Sequence, residues 1–217
     1  IIGSDAVKNW NQLDENVYVA NLSKKPFQVF LNDKPMINAR EPDTGYFRIS
    51  EVVDEYKKFK CHELTGREDW SGGSIHIRSQ PWTLDARNIA SYKRSTGTVS
   101  LNSKTTYSLE EPEVFFINNH LSALDKPGEW YFNESSRKLY IHLRSGQNPS
   151  NLKVGITTAN AGISVANSRN IIIKGFDIKY HNMAGILVYH NSSDIKLLNN
   201  TIHHPYNYGI TIDGGSD

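Results

Sequence analysis

The chain has 217 residues, 38% of them hydrophobic, which is enough for one or two modest domains with cores of their own. A net charge of +1 creates no global field to attract nucleic acid or an acidic membrane surface, and no apolar run is long enough to span a bilayer. A single cysteine, Cys61, excludes an internal disulfide framework and a cysteine-based zinc site.

The opening residues Ile1-Ile2-Gly3-Ser4-Asp5 read as the tail of a strand with its turn, and the chain stops as abruptly at Gly214-Gly215-Ser216-Asp217. Both are expected of a piece of a longer protein, so cellular location is not read from the N-terminus. Asn16–Ala20 and Phe27–Leu31 are strand-like, Asn32-Asp33-Lys34-Pro35 is turn chemistry, and the run continues through Ala39-Arg40-Glu41-Pro42, where Arg40 reads as solvated or ion-paired. Ile49, Val52, Val53, Tyr56 and Phe59 recur at helical spacing, with Asp54, Glu55, Lys57 and Lys58 opposite, which predicts one short amphipathic helix. Ser74–Arg78 alternates, with Ile75 and Ile77 on one face and His76 and Arg78 on the other. Pro81-Trp82 and the strand-like Arg87–Tyr92 follow, and Thr98–Leu101 and Val114–Ile117 are further strands. Pro127-Gly128, Glu129–Asn133, a polar turn and Arg137–Leu143 make a hairpin, in which Glu129 is expected to bond backbone or a cross-strand base rather than to catalyse. Gln147–Asn151 is a linker.

The last quarter contains a period. Gly185-Ile186-Leu187-Val188 recurs 24 residues on as Gly209-Ile210-Thr211-Ile212 and is anticipated 23 residues earlier by Gly162-Ile163-Ser164-Val165. In the same register Ile171 falls over Ile195, Ile173 over Leu197 and Ile178 over Ile202. Short Ile/Val-rich units broken by Gly, Asn and His favour stacked strands over leucine-rich repeats, and so a parallel β-helix. Ile171, Ile173, Ile178, Ile186, Val188, Ile195, Leu197, Ile202, Ile210 and Ile212 are expected to point inward. Asn200, in the place of an inward Phe176, would be stacked or bonded to backbone at a bend.

Asn170-Ile171-Ile172-Ile173-Lys174-Gly175-Phe176, Asn199–His203 and Gly209–Gly215 resemble coils of right-handed parallel β-helix proteins, a group dominated by polysaccharide lyases and glycoside hydrolases. The strand, Asn-Asp turn and Ala-Arg-x-Pro run, together with Pro-Gly-Glu-Trp-Tyr followed by Lys-Leu-Tyr-Ile, is similar to a β-sandwich inserted into an early coil of some of those hydrolases, xylosidase-like ones among them. The resemblance implies an all-β chain: residues 1–14 the end of a β-helix coil, 15–152 an antiparallel β-sandwich-like insertion, and 153–217 a right-handed parallel β-helix.

Solenoid sites lie on outer faces and turns, because the interior is filled. The period makes two polar stacks: Tyr180-His181 under His203-His204-Pro205-Tyr206, with Tyr180 over His204; and Asn167, Tyr189-His190 and Asp213, with Ser193 over Asp217. Neighbouring coils place such groups about 5 Å apart, within reach of one sugar ring. His203 and His204 are candidate general acids or bases. Asp213 and Asp217 are candidates for the carboxylate pair of glycoside hydrolysis, held about 5.5 Å apart in a retaining enzyme. Tyr180, His181, Tyr189, His190 and Tyr206 are candidate substrate contacts. The competing readings are a solvated histidine turn and plain Asp-Gly turn chemistry.

The favoured function is a glycoside hydrolase acting on an extracellular polysaccharide or oligosaccharide, secreted, periplasmic or at the cell surface, with no nucleic-acid or membrane partner. A uronate-cleaving polysaccharide lyase and a non-catalytic adhesin or tail-fibre protein are the alternatives. No cofactor is assigned, and calcium stays open because no set of three coordinating carboxylates is visible as a motif.

Overall fold

The computed structural model describes residues 1–213. The chain is all-β, and the helix among the described residues is three short 3-10 turns, His62–Leu64, Leu121–Ala123 and Pro149–Asn151. It divides into two compact units: Ile1–Met36, Glu134–Leu139 and Ser145–Asp217 form the first, and Ile37–Asn133 with Tyr140–Arg144 the second.

The first unit begins as a four-stranded antiparallel sheet in the order Ser4–Ala6, Val154–Thr157, Val29–Leu31, Lys34–Pro35. Asn32 and Asp33, both at positive φ, close the tight turn between its last two strands, as a primed hairpin turn requires. Next come parallel ladders with the offset read from the sequence. Ala161–Ala166, Ala184–Tyr189 and Tyr208–Asp213 form a three-stranded sheet that pairs Ile163 with Ile186 and Ile186 with Ile210. Arg169–Lys174 pairs with Ser193–Leu198, and Asp177–Lys179 with Thr201–His203. The chain start joins the last ladder through a parallel bridge from Ile2 to Lys179.

The recurring glycine has a steric cause. A Cβ on Gly162 would meet the Ile178 side chain and lie 2.7 Å from the Gly185 carbonyl oxygen. On Gly185 it would lie 2.5 Å from Ile202 and 2.8 Å from the Gly209 carbonyl. Only glycine lets one strand pass that close to the isoleucine of the facing ladder. Val165, Ile173, Ile178, Ile186 and Val188 form the buried cluster, with Ile163, Ile195, Leu197 and Ile202 packed against it.

Four apolar residues depart from the inward expectation. Ile210 and Ile212 keep their register but are 49% and 72% exposed, since no described strand stacks beyond theirs, and Ile171 is at the edge of exposure. Phe176 is also exposed, because the left-handed Gly175 before it turns the chain. The space is bridged instead by Asn200, which accepts from the Phe176 N–H at 3.0 Å and donates to the Ile173 carbonyl at 2.9 Å. Asn200 therefore bonds backbone at the bend, one of the two readings its sequence position allowed.

The second unit contains an antiparallel sheet in the order Arg40–Glu41, Val114–Asn118, Ser74–Gln80, Thr83–Lys93, Thr98–Leu101, Lys58–Lys60, Glu51–Asp54. Ile75 opposes Ile117 and Ile77 opposes Phe115, all buried, while His76 stacks on Phe116 on the other face, as alternation demands. The short helix predicted over 49–59 is absent. Glu51–Asp54 and Lys58–Lys60 are antiparallel strands, and the Asp54 carboxylate accepts from the Tyr56 and Lys57 N–H groups to close their turn. Val52 and Val53 suit a strand, and Phe59 finds its burial against Phe115 in the sheet, not along a helix face.

Candidate functional site

The candidate residues of the first unit sit at corners between ladders, and the corners are made by left-handed backbone. Asn167 and His190, Asn170 and Asp194, Gly175 and Asn199, and Tyr180 and His204 all have positive φ and repeat at 23 or 24 residues. Gly and Asn take this conformation readily, whereas a bulky Tyr does so at a steric cost. Tyr180 is held there by its surroundings. Its hydroxyl donates to the Asp33 carbonyl and carboxylate at 3.2 and 3.3 Å, its ring lies 4.2 Å from that of Phe30, and His204 stacks on it at 6.1 Å with 12° between planes. Asp33 is in turn bonded by Lys153 at 2.8 Å, which holds its carboxyl below the usual range. Burial, reinforced by the Asp33 charge, pushes the Tyr180 phenol up.

His181 is 1% exposed, and its Nδ1 has no hydrogen-bond partner among the described residues. Its ring fills a slot opened by two glycines: a Cβ on Gly3 would meet it at 2.5 Å and one on Gly162 at 3.0 Å. Burial favours the neutral imidazole. Tyr180 and His181, read from the sequence as substrate contacts, are thus packed into the corner.

The other candidates face outward. His203 and His204 are exposed, and His203 Nε2 lies 3.5 Å from an Asp177 oxygen in a pair too open to water to contribute much. Tyr206 is exposed, with its ring 5.5 Å from Phe27, and its N–H donates to the His181 carbonyl at 2.8 Å. In the second stack Tyr189 pairs in register with Asp213, and its ring lies 4.7 Å from His190. Asp213 is exposed at the end of its strand. Asp217, and with it the Ser193–Asp217 stacking, lies outside the described residues.

One solved structure, titled "Glycoside hydrolase", matches over 86% of this chain with a TM-score of 0.58 and 17% identity. The likeness is one of fold. The match takes in 35% of the other chain, so this chain spans about a third of that protein's length. No family model matches, and no curated protein matches in sequence.

The second unit holds acidic groups that sequence reading missed. Glu41, Asp43 and Asp125 bring carboxylate oxygens within 4.8 Å of one another, but Lys126 already pairs with Asp43 and Arg67 with Glu41. Burial first, then the Asp43 charge, raises the Asp125 carboxyl. No local motif announces this cluster, because its two halves lie far apart in the chain and are brought together by tertiary pairing, such as that of Ile37–Asn38 with Glu129–Trp130. Glu129, 4% exposed, accepts from the Asp125 and Lys126 N–H groups, as its hairpin position suggested. Arg40 is half-buried and, among the described residues, not ion-paired: it donates to the Pro42 and Gly45 carbonyls and lies 4.1 Å over the Phe116 ring, strapping its own turn.

Proposed function

We propose that this chain belongs to a glycoside hydrolase, that its parallel ladders are coils of a right-handed parallel β-helix, and that residues 15–152 include a sandwich-like insertion. The observation that carries the reading is the fold likeness, across most of the chain, to a protein titled glycoside hydrolase. The 24-residue ladders, which gather exposed polar residues at their corners, are consistent with it.

In this reading the sugar lies along the outward corner residues. Asp213, with Asp217 nearby in sequence, supplies carboxylate chemistry, His203 or His204 exchanges or orients a proton, and Tyr189, His190 and Tyr206 contact the saccharide. Tyr180 and His181 support that surface from beneath. The substrate is an extracellular polysaccharide or oligosaccharide, and the protein acts outside the cytoplasm. No described helix is long and apolar enough to cross a membrane.

The test is an assay of the full-length protein carrying this chain on xylans, pectins and algal polysaccharides, following reducing ends and the absorbance of unsaturated uronates together. New reducing ends without unsaturation are expected, and Asp213→Asn should lower kcat by about a hundredfold or more with an unchanged circular dichroism spectrum. Unsaturated products would replace the hydrolase with a lyase. Full activity of Asp213→Asn would remove the proposed acid.

A further inference from the structure

The second unit presents two aromatic rings to solvent at right angles to each other. Trp82 occupies the two-residue turn after Pro81, between the paired Gln80 and Thr83, and is 74% exposed. Tyr107, from a different loop, is 40% exposed, and its ring stands at 88° to that of Trp82 with centroids 6.2 Å apart. A tryptophan left this open gives up the burial that large aromatics ordinarily gain.

The segments carrying the rings are tied to one buried carboxylate. Asp85, 3% exposed, accepts from Ser79 Oγ at 2.5 Å and Arg87 Nη2 at 2.6 Å on the hairpin, and from the N–H and hydroxyl of Thr106, next to Tyr107, at 3.1 and 2.8 Å. Thr105 Oγ1 donates to the Tyr107 carbonyl at 2.6 Å, Arg87 Nε donates to the Lys104 carbonyl at 2.7 Å, and Arg78 donates to the Pro81 carbonyl at 2.8 Å. Both ring-bearing loops are therefore pinned before any ligand arrives, and little conformational entropy remains to be lost on binding.

We infer that Trp82 and Tyr107 form a carbohydrate-binding site, a corner of two rings on pinned loops that takes a pyranose unit of a neutral glycan. One ring face meets the apolar C–H face of the sugar, the perpendicular ring flanks its edge, and Arg78, Gln80 and Thr83 around the turn supply polar groups for its hydroxyls. A sugar suits this corner better than a protein partner does. Stable protein interfaces bury on the order of 800 Å² per side around a contiguous apolar centre, which two crossed rings on neighbouring loops do not offer. The choice of ligand class rests on the carbohydrate reading above, but the site shares no residue with the corner proposed for catalysis.

The experiment titrates the full-length protein with xylohexaose, cellohexaose and hexagalacturonate, following tryptophan fluorescence and calorimetry. In parallel it measures hydrolysis of small aryl glycosides. Saturable binding of a neutral hexasaccharide is expected, weakened about tenfold or more in Trp82→Ala and in Tyr107→Ala. Trp82→Ala should keep the wild-type melting temperature and its rate on any aryl glycoside the wild type cleaves. Asp85→Asn tests the pinning: with both rings still present but their loops loosened, it should weaken binding. Equal affinity of Trp82→Ala and wild type for every probe, or no binding of any neutral probe by the wild type, would overturn the site. So would concentration-dependent self-association abolished by Trp82→Ala, which would make the corner a protein contact. Hydrolysis without Trp82-dependent binding would sink this site alone, and Trp82-dependent binding without turnover of any glycan would sink the hydrolase reading alone.

Discussion

Gly185 shows how one absent methyl group decides the register of the ladders. A Cβ there would press on Ile202 and on the Gly209 carbonyl, and neither can retreat without disturbing a strand pairing. Gly185→Ala should therefore destabilise by about 1–3 kcal/mol, lowering the melting temperature by several degrees, as overpacking does. Gly146→Ala is the opposite case: its Cβ would meet nothing, but its φ of +78° is left-handed, so its loss reports backbone strain, which Gly185 does not carry. A Gly185→Ala variant that keeps the wild-type melting temperature would show that the contact is relieved by small shifts of Ile202. Glu129 makes a second residue-scale prediction. Its carboxyl is raised chiefly by burial, so the folded protein holds that proton more tightly than the unfolded chain does. Its stability contribution is then fully present below the ordinary glutamate value and is lost as pH rises through the folded one. Glu129→Gln, which keeps an acceptor for the Asp125 and Lys126 N–H groups, should gain melting temperature relative to wild type as pH rises from 4 to 7. A difference that stays constant or shrinks over that range would remove buried ionisation from the account. The same variant should leave catalysis little changed.

At the scale of elements, the links between ladders depend on side chains that stand in for backbone. Asn200 bonds the Phe176 N–H and the Ile173 carbonyl of the preceding repeat, joining two repeats where no strand pair does so. Asn200→Ala should cost about 0.5–1.5 kcal/mol, the net worth of a hydrogen bond that water can partly replace, and should speed hydrogen exchange at the Phe176 amide. Unchanged exchange there would mean that water replaces the amide without loss. The elements were unequally legible. Parallel stacking repeats the same environment every 24 residues, so the pairing of Ile186 with Ile210 and of Ile173 with Leu197 was written in the period itself. The segment 49–60 was misread because Ile49, Val52, Val53, Tyr56 and Phe59 satisfy a helical spacing and a short hairpin equally well. What decides for the hairpin is a strand elsewhere in the chain: Phe59 pairs with Val99, 40 residues on.

At the scale of the whole molecule, the alternation of Ile75 and Ile77 against His76, the register of the ladders and the backbone-bonding role of Glu129 followed from residue order alone. Each of these depends on local periodicity or on turn chemistry, which a chain carries within a few residues. The candidate site was half legible in the same way. The period places Tyr180 over His204 and Tyr189 beside Asp213, but it does not say which of them water reaches. Burial of Tyr180 depends on Phe30 and Asp33, about 150 residues earlier, and burial of His181 depends on the empty space beside Gly3. The Asp85 network and the Glu41–Asp43–Asp125 cluster are likewise invisible in the sequence, since loop and strand closures far apart in the chain bring their members together. The sequence by itself determined which residues repeat and which alternate, because those patterns are local. Only the tertiary structure decided which polar side chains are spent holding the fold and which remain free to meet a ligand, because desolvation is a property of neighbours in space.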